Sequence, residues 1–170
     1  MKEALEEALV GSFHGISVKQ DPDDPLTLVV IVPEGLLRFG IGQFTITENS
    51  LSFIKSFTPD FVGIVCGDRF NGKIDSLLVE GHTDSSSDDN FNLALSQKRS
   101  LEVMLKMVSH TESFNDCFLE LTSASGRGER DLIFDHLGYE DSPRSRRVQY
   151  KIRVKSSLNE ELKNEMSAAL

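Results

Sequence analysis

An acid and a base that lie fifteen residues apart are the side chains of this sequence best suited to act at one site. Asp84 closes the run GHTD at residues 81–84, after a hydrophobic segment, and Arg99 lies on the helix predicted next. On that helix Asn92, Ser96 and Arg99 fall within about 60° of one another at ~100° per residue. Arg99 is therefore expected to be half-buried and to need an anionic partner. One anion beside one cation suits a zwitterion, such as the free end of an amino acid.

The same segment carries parts of a metal site and of a hydrolase, but both patterns are incomplete. The potential metal ligands His82, Asp84, Asp88 and Asp89 cluster in the sequence. No second histidine follows His82 at i+4, however, and the segment lacks the glycine and the final glutamate of a calcium-binding EF-hand loop. Ser85–Ser87 lie near His82, but no nucleophile elbow such as G-x-S-x-G is present. We therefore predict no metal, no cofactor and no catalysis, and we interpret His82 as a packed or loop-bonded histidine.

The composition excludes several classes of protein. The 170 residues fit one domain, and 39% apolar with 26% charged residues is typical of a globular protein. A net charge of −9 argues against a nucleic-acid partner and against attraction to anionic lipid. Any anionic group must instead meet a local arginine cluster, formed by Arg144, Arg146 and Arg147. No apolar run approaches the roughly 18 residues of a membrane span, and the N-terminus is too rich in glutamate for a signal peptide.

The two cysteines, Cys66 and Cys117, have neither CxxC nor metal-type spacing. They could form one disulfide, or they could be two buried free thiols, and the pattern slightly favours the free thiols. The pair leaves the cellular compartment open.

The first half of the chain is predicted to contain a helix, a hairpin and a second helix. Apolar spacing indicates a helix over residues 2–10. The β-branched runs ISVKQ and LTLVVIV, separated by DPDDP, are typical of a β-hairpin. Residues 36–45 are interpreted as a surface segment leading to Thr47, the expected N-cap of the helix ENSLSFIKSF. Pro59 is expected to kink this helix or to start a second one that runs through Cys66.

The second half is predicted to alternate strands and helices. Residues 74–80 form the clearest strand, and the longest helix is predicted over residues 89–108. On that helix one apolar side contains Ala94, Leu101, Met104, Leu105 and Val108. Residues 117–123 are predicted as a strand, residues 124–145 as loop, and the residues from 157 onward as an amphipathic helix.

The last predicted strand, residues 147–155, alternates cleanly between apolar and polar residues. Its inward face is expected to carry Val148, Tyr150, Ile152 and Val154, and its outward face Arg147, Gln149, Lys151 and Arg153. Together the elements predict an α+β fold, a two-layer α/β sandwich with a mixed sheet and helices on one face.

Three motifs, in this order and spacing, resemble those of the OmpA-like peptidoglycan-binding domain, a family that includes MotB-type stator subunits and peptidoglycan-associated lipoproteins. The motifs are GHTD at 81–84, N-x-x-L-S-x-x-R at 92–99 and R-R-V at 146–148. The resemblance covers residues 35–155. It departs from the family pattern at Ser100, at Ser145 and in the glycine-containing segment 126–143.

The resemblance implies a binding site for the peptide stem of peptidoglycan. In the family the corresponding acid and arginine, here Asp84 and Arg99, hold the ammonium and the carboxylate of diaminopimelate. By the same resemblance Asn92 hydrogen-bonds the loop to the helix, Leu95 forms a pocket wall and Arg147 makes a second carboxylate contact. Thr83, inside the GHTD motif, is included among the ligand-binding residues.

The resemblance further implies a non-catalytic cell-wall anchor in the periplasm, part of a membrane-anchored or exported protein. Residues 1–34 are interpreted as a stator-like segment at the end of a linker from a membrane anchor, and residues 156–170 as a C-terminal amphipathic helix. A homodimer and a membrane-protein partner are plausible, and no nucleic acid is expected. The altered segment 126–143 leaves open an alternative, in which the same fold serves protein contacts without binding muropeptide.

Overall fold

The computed structural model describes residues 1–40 and 42–156 and contains one five-stranded sheet. The strands are β1 (Ser17–Gln20), β2 (Thr27–Pro33), β3 (Ile74–His82), β4 (Thr122–Gly128) and β5 (Arg147–Val154). Their order across the sheet is β1-β2-β5-β3-β4. Strands β3 and β4 are parallel and the other neighbouring pairs are antiparallel, so the predicted mixed sheet is confirmed.

The described residues form five α-helices, and the longer ones lie against one face of this sheet. The five helices are α1 (Lys2–Leu5, continued by a π-helical turn over Glu6–Val10), α2 (Glu48–Val65), α3 (Asp89–Val108), α4 (Asn115–Leu121) and α5 (Ser142–Ser145). As predicted, Thr47 caps α2, and its side chain accepts a hydrogen bond from the Ser50 nitrogen at 3.4 Å. Pro59 lies inside α2 and does not start a new helix. The predicted two-layer α+β architecture is confirmed.

A row of phenylalanines from α2 fills the space between helix and sheet. Phe53, Phe57 and Phe61 are spaced four apart and therefore share one helix face, with successive ring centroids 5.1 Å apart. Phe57 and Phe61 also contact Tyr150 of β5, at 5.3 Å and 5.0 Å. Burial of each such ring contributes roughly 1.5–3 kcal/mol. These contacts fix β5 beneath α2 and so position the residues that precede β5.

The first 34 residues share this sheet and core. The predicted hairpin is confirmed, because β1 pairs with β2 and β2 continues the ladder to β5. Leu5 and Leu9, on the N-terminal helix, are fully buried in the common core. Among the described residues, no helix combines the length and the apolarity that crossing a bilayer requires.

Helix α3 has the predicted bounds, but Leu101 and Leu105 of its predicted apolar side do not face the sheet. Leu101 and Leu105 are 45% and 53% exposed, whereas Ser96 is fully buried. The reason is a close approach of helix and strand, since a Cβ added at Gly126 would lie 2.2 Å from the backbone nitrogen of Gln97. Small residues are needed on both sides of such a contact, and leucine does not fit there.

Two predictions for the α4 region are wrong. Residues 117–121 belong to α4, and the strand begins only at Thr122 and continues through residues 124–128 of the expected loop. Phe118 is fully buried while Leu119 is 46% exposed, as in a helix that touches the core with one side. The preference for free thiols also fails, because Cys66 and Cys117 form a disulfide with a Cα–Cα distance of 6.0 Å. The bridge ties the end of α2 to α4.

Strand β5 alternates as predicted, but its second face is also covered. Tyr150 and Ile152 are fully buried beneath the helices, whereas Arg147 and Gln149 point away from the helices and are still only 7% and 8% exposed. Residues 129–134 share a surface depression with this second face, which the alternation alone could not reveal. The predicted helix after residue 157 lies outside the described residues.

Candidate functional site

Chain direction brings three strand ends to one edge of the sheet. Strand β5 is antiparallel to β2 and β3, so its first residues meet the last residues of both neighbours. Pro33 pairs with Arg147, and the end of β3 pairs with Val148. Glu34 after β2, the loop after β3 and Arg146 before β5 therefore lie together. The N-terminal half of α3 closes the same edge.

This edge holds a cleft of about 370 Å³, a size typical of small-ligand sites. Its lining includes five of the six predicted site residues, namely Thr83, Asp84, Asn92, Leu95 and Arg99. The sixth, Arg147, is not among them. The lining also includes residues that were not predicted as site residues, in particular Glu34, Phe39, Phe91 and Arg146. That these residues contact a ligand remains a prediction.

Asp84 is 7% exposed, and both of its carboxylate oxygens have partners. Oδ1 accepts hydrogen bonds from the Ser86 hydroxyl at 2.6 Å and from the Ser86 nitrogen at 3.2 Å, and Oδ2 is bound by Nη1 of Arg146. Burial raises the pKa of Asp84, but the hydrogen bonds from Ser86 and Arg146 outweigh it and hold that pKa below its ordinary value. Asp84 is therefore an anion at neutral pH.

Arg99 is half-buried, as expected, but its partners are carbonyl groups and an aromatic ring. Its Nε donates to the Gln43 carbonyl at 2.9 Å, Nη2 donates to the Gly40 carbonyl at 3.4 Å, and the guanidinium lies 4.8 Å from the Phe39 ring centroid. None of the ion pairs within residues 1–40 and 42–156 includes Arg99. Burial lowers its pKa, while the charges of Glu34 and Asp84 raise it. The cleft thus contains a positive charge without a bound carboxylate.

Arg146 is the arginine of the R-R-V motif that lines the cleft. Its Nε donates to Glu34 at 2.9 Å, and its Nη1 donates to Asp84. The hydrogen bond to Glu34 and that to Asp84 raise the pKa of Arg146, against the opposing effect of burial. Arg146 therefore bridges two carboxylates at the mouth of the cleft.

Arg147 lies on the opposite face of the sheet, where its Nη1 donates to the Ser145 carbonyl at 3.0 Å. The alternation of β5 explains the difference, since Val148 faces the helices and Arg146, two residues earlier, falls on the same side. The predicted role of Arg147 as a second carboxylate contact finds no support in this placement. The R-R-V motif in the sequence includes Arg146, whereas none of the three motifs includes Glu34.

Asn92 joins the loop after β3 to α3, as the resemblance implied. Its Nδ2 lies within hydrogen-bonding distance of the Asp84 carbonyl at 3.1 Å, the Ser87 carbonyl at 3.0 Å and the Glu129 carboxylate at 2.6 Å. Ser96, one turn further along the helix, accepts a hydrogen bond from the Gly128 nitrogen at 2.9 Å. These bonds fix Asp84 relative to Arg99 by tying the loop and β4 to one helix.

Thr83 and Leu95 are both buried in the lining of the cleft. The Thr83 nitrogen donates to the Gly128 carbonyl at 2.9 Å, whereas its hydroxyl has no hydrogen-bond partner among the described residues. Leu95, with Phe39 and Phe91, supplies apolar surface beside the charged groups. The cleft can therefore accept a ligand that has charged ends and an aliphatic body.

His82 does not line this cleft. Its Nε2 lies 3.1 Å from Glu80 Oε1 and its Nδ1 lies 3.8 Å from Asp131 Oδ2, and burial lowers the pKa of the ring. In the part of the chain described, Glu80, His82 and Asp131 place potential metal-ligand atoms within 4.8 Å of one another. Lys151 and Arg127 already bind the two carboxylates, at 2.9 Å and 3.2 Å, and oppose a further cation there.

The serine run after Asp84 has structural partners. The Ser85 hydroxyl donates to Glu140, and the Ser86 hydroxyl donates to Asp84. No hydrogen bond links a serine of this run to His82 in the described ranges. The serines therefore order the loop rather than form a nucleophile–base pair.

No family model matches the sequence, and no curated protein matches it. The fold, however, matches solved structures. The periplasmic domain of Helicobacter pylori MotB matches with a TM-score of 0.66 at 16% identity, over 92% of this chain and 90% of that one. The cell wall anchor of the T6SS from Pseudomonas aeruginosa gives 0.58 at 18% identity, over 90% and 96%. The OmpA-like domain of FopA1 from Francisella tularensis gives 0.53 at 19% identity, over 82% and 81%.

At sequence identities of 16–19%, these structural matches show a shared fold and no more. The predicted OmpA-like fold of the MotB type is thereby confirmed, and it extends over nearly the whole chain. What these relatives bind does not follow for this chain from the fold alone.

Proposed function

We propose that the protein is a non-catalytic anchor that binds the peptide stem of peptidoglycan and recognises diaminopimelate in it. The observation that carries this proposal is that Asp84 and Arg99 line one cleft. Diaminopimelate in a stem peptide presents an ammonium and a carboxylate on the same carbon atom, so both charges lie within one small group. The fold supports the proposal, because similar structures are described as a cell wall anchor and as periplasmic domains of MotB.

Arg99 is the proposed partner of the ligand carboxylate. The carbonyls of Gln43 and Gly40 occupy Nε and one hydrogen of Nη2, which leaves three of its five N–H donors for a ligand. Arginine can bind a carboxylate through two parallel hydrogen bonds. Each charge-assisted hydrogen bond contributes about 1.5–3 kcal/mol. The same two carbonyls hold the guanidinium in place before the ligand arrives.

Asp84 and Thr83 are the proposed partners of the ligand ammonium. A carboxylate has about four lone-pair positions, so Asp84 can accept from an ammonium in addition to a protein donor. The Thr83 hydroxyl, which lacks a partner among the described residues, supplies a further acceptor. Leu95, Phe39 and Phe91 offer apolar surface to the methylene groups of the ligand. Asn92 does not bind the ligand in this proposal, but it positions Asp84 by holding the loop after β3.

We also propose a periplasmic location. The Cys66–Cys117 disulfide supports it, because structural disulfides persist in oxidising compartments and are rare in the cytosol. A homodimer and a membrane-protein partner remain predictions, as does the linker role of residues 1–34. A wall anchor of this kind would hold a larger envelope complex at the peptidoglycan layer.

Sedimentation with isolated sacculi tests the proposal. The unmodified protein should pellet with diaminopimelate-type sacculi, and Asp84→Asn should remain in the supernatant. Arg69→Gln is the control, because Arg69 is exposed in the turn before β3, at the far end of that strand from the cleft. A protein that stays in the supernatant in all three cases is not a wall anchor.

One observation favours the alternative of a protein-contact module. Phe134, Leu137 and Tyr139 are 56%, 68% and 70% exposed on a single turn. The turn is ordered, since Asp135 Oδ1 accepts from the nitrogens of Leu137 at 2.8 Å and Tyr139 at 3.0 Å. Exposed large side chains on an ordered turn are typical of protein interfaces. The sacculus experiment separates the two functions.

A further inference from the structure

We infer that Glu34 and Arg146 determine the specificity of the cleft for ligands with a free ammonium group, because Arg146 releases Asp84 and keeps its contact to Glu34 when the ammonium binds. The inference rests on the function proposed above. It gives Arg146 the role of a competitor for Asp84 and gives Glu34, which lies in none of the sequence motifs, a role in the site.

In the free cleft, Arg146 occupies the position that a ligand ammonium needs. Its Nη1 binds Oδ2 of Asp84, and Ser86 binds Oδ1. A ligand ammonium that comes to Oδ2 must therefore compete with a guanidinium of the protein itself. Arg99 is in the opposite situation, since its guanidinium is paired with no carboxylate among the described residues and can donate to a ligand carboxylate directly.

Glu34 lowers the free-energy cost of releasing Arg146 from Asp84. It accepts from Nε of Arg146 at 2.9 Å, a different atom from the Nη1 that binds Asp84. If the contact to Asp84 breaks, the contact to Glu34 can therefore persist, and Arg146 keeps an anionic partner. Without Glu34, the same displacement would leave a guanidinium with no counterion, which is costly where water is partly excluded.

The exposed fractions of the three side chains fit the release of Arg146 from Asp84. The side chains of Glu34 and Arg146 are 35% and 30% exposed, whereas that of Asp84 is 10% exposed. Arg146 and Glu34 thus lie at the rim, where a side chain can shift, and Asp84 lies deeper. Glu34 and Asp84 carry two negative charges and Arg99 and Arg146 carry two positive charges. A zwitterionic ligand leaves this balance unchanged, while a ligand without an ammonium adds an uncompensated anion.

A double-mutant cycle measured by titration calorimetry tests the inference. The probe is a muropeptide with a free diaminopimelate ammonium, and the variants are Glu34→Gln, Arg146→Gln and the double variant. Glu120→Gln and Arg69→Gln, both outside the cleft, are the matched controls. We expect Glu34→Gln to weaken binding about tenfold, which corresponds to about 1.4 kcal/mol. Arg146→Gln should strengthen binding, and in its background Glu34→Gln should have little further effect.

Two results would overturn the release of Arg146 from Asp84 without affecting the proposed function. One is weaker binding by Arg146→Gln, which would make Arg146 a ligand contact instead of a competitor. The other is an equal loss from Glu34→Gln with and without Arg146. Failure of the unmodified protein to bind the muropeptide would instead refute the proposed function, and the inference with it. Acetylation of the ligand ammonium should abolish the difference between Glu34→Gln and the unmodified protein.

Discussion

Gly126 of β4 and Gln97 of α3 are in direct contact, and this contact sets the distance between the helix and the edge of the sheet. The Gly126 nitrogen donates to Gln97 Oε1 at 2.9 Å, and a Cβ at Gly126 would lie 2.2 Å from the Gln97 nitrogen. Helix α3 carries Asn92 and Arg99, whereas Asp84 follows the neighbouring strand β3. The spacing of the two charged groups in the cleft therefore depends on a residue without a side chain.

Replacement of Gly126 by alanine should destabilise the protein. The added methyl group would overlap backbone atoms of α3, and overpacking of this kind costs about 1–3 kcal/mol or more. Urea unfolding measures the change. Gly63→Ala is the control, because no atom lies within 4 Å of a Cβ there and alanine in a helix should add about 0.5–1 kcal/mol of stability. Equal stability of the two variants would contradict the close contact.

Removal of the disulfide should lower stability without changing the site. The bridge spans 51 residues, and the loop-entropy relation gives about 4 kcal/mol for that length, with measured values usually about 2–4 kcal/mol. We expect Cys66→Ser with Cys117→Ser to unfold at lower urea concentration but to keep its ligand affinity. The bridge lies near the start of β3, at the opposite end of that strand from the cleft. A loss of affinity in the folded double variant would show that the bridge supports the cleft.

Acid should destabilise the protein through the buried pair on β3. Burial raises the pKa of Glu80, but the hydrogen bonds from His82 and Lys151 outweigh it and lower that pKa from 4.5 to about 2. The unfolded chain then binds more protons than the folded one between these values, so this contribution is lost as the pH falls from 4.5 towards 2. His82 acts in the same direction below pH 6.5, because burial lowers its pKa as well.

Glu80→Gln should therefore flatten the dependence of stability on pH below 4.5. Urea midpoints at pH 7, 5 and 3 measure this effect, and Glu120→Gln, an exposed glutamate, serves as the control. A Glu80→Gln variant that loses stability between pH 5 and 3 as steeply as the unmodified protein would contradict the assignment.

The longest and most periodic elements were predictable from the sequence. The bounds of α3 and the end of a central strand at the GHTD motif follow from spacing over many residues, and these two elements bring Asp84 and Arg99 together. The five residues 117–121 suit a strand or a helix almost equally, and only the packing of Phe118 and the bridge at Cys117 select the helix. Short segments are decided by tertiary contacts.

Other features depend on geometry that hydrophobicity does not encode. Leu101 and Leu105 lie on the predicted apolar side of α3, but the glycine contacts turn the side with Ser96 and Ser100 toward the sheet. Glu34 is 112 residues from Arg146 in the chain, and it joins the cleft because β2 and β5 are neighbours in the sheet. No local pattern predicts such a pairing.

Titration of a diaminopimelate-containing muropeptide into the folded protein shows whether Asp84 and Arg99 hold the ligand. We expect saturable binding, a loss of at least about tenfold for Asp84→Asn and for Arg99→Gln, and unchanged affinity for Arg69→Gln, in line with about 1.5–3 kcal/mol for each charge-assisted hydrogen bond. Circular dichroism should show that all three variants are folded. Full affinity in both Asp84→Asn and Arg99→Gln would show that these two side chains do not hold the ligand.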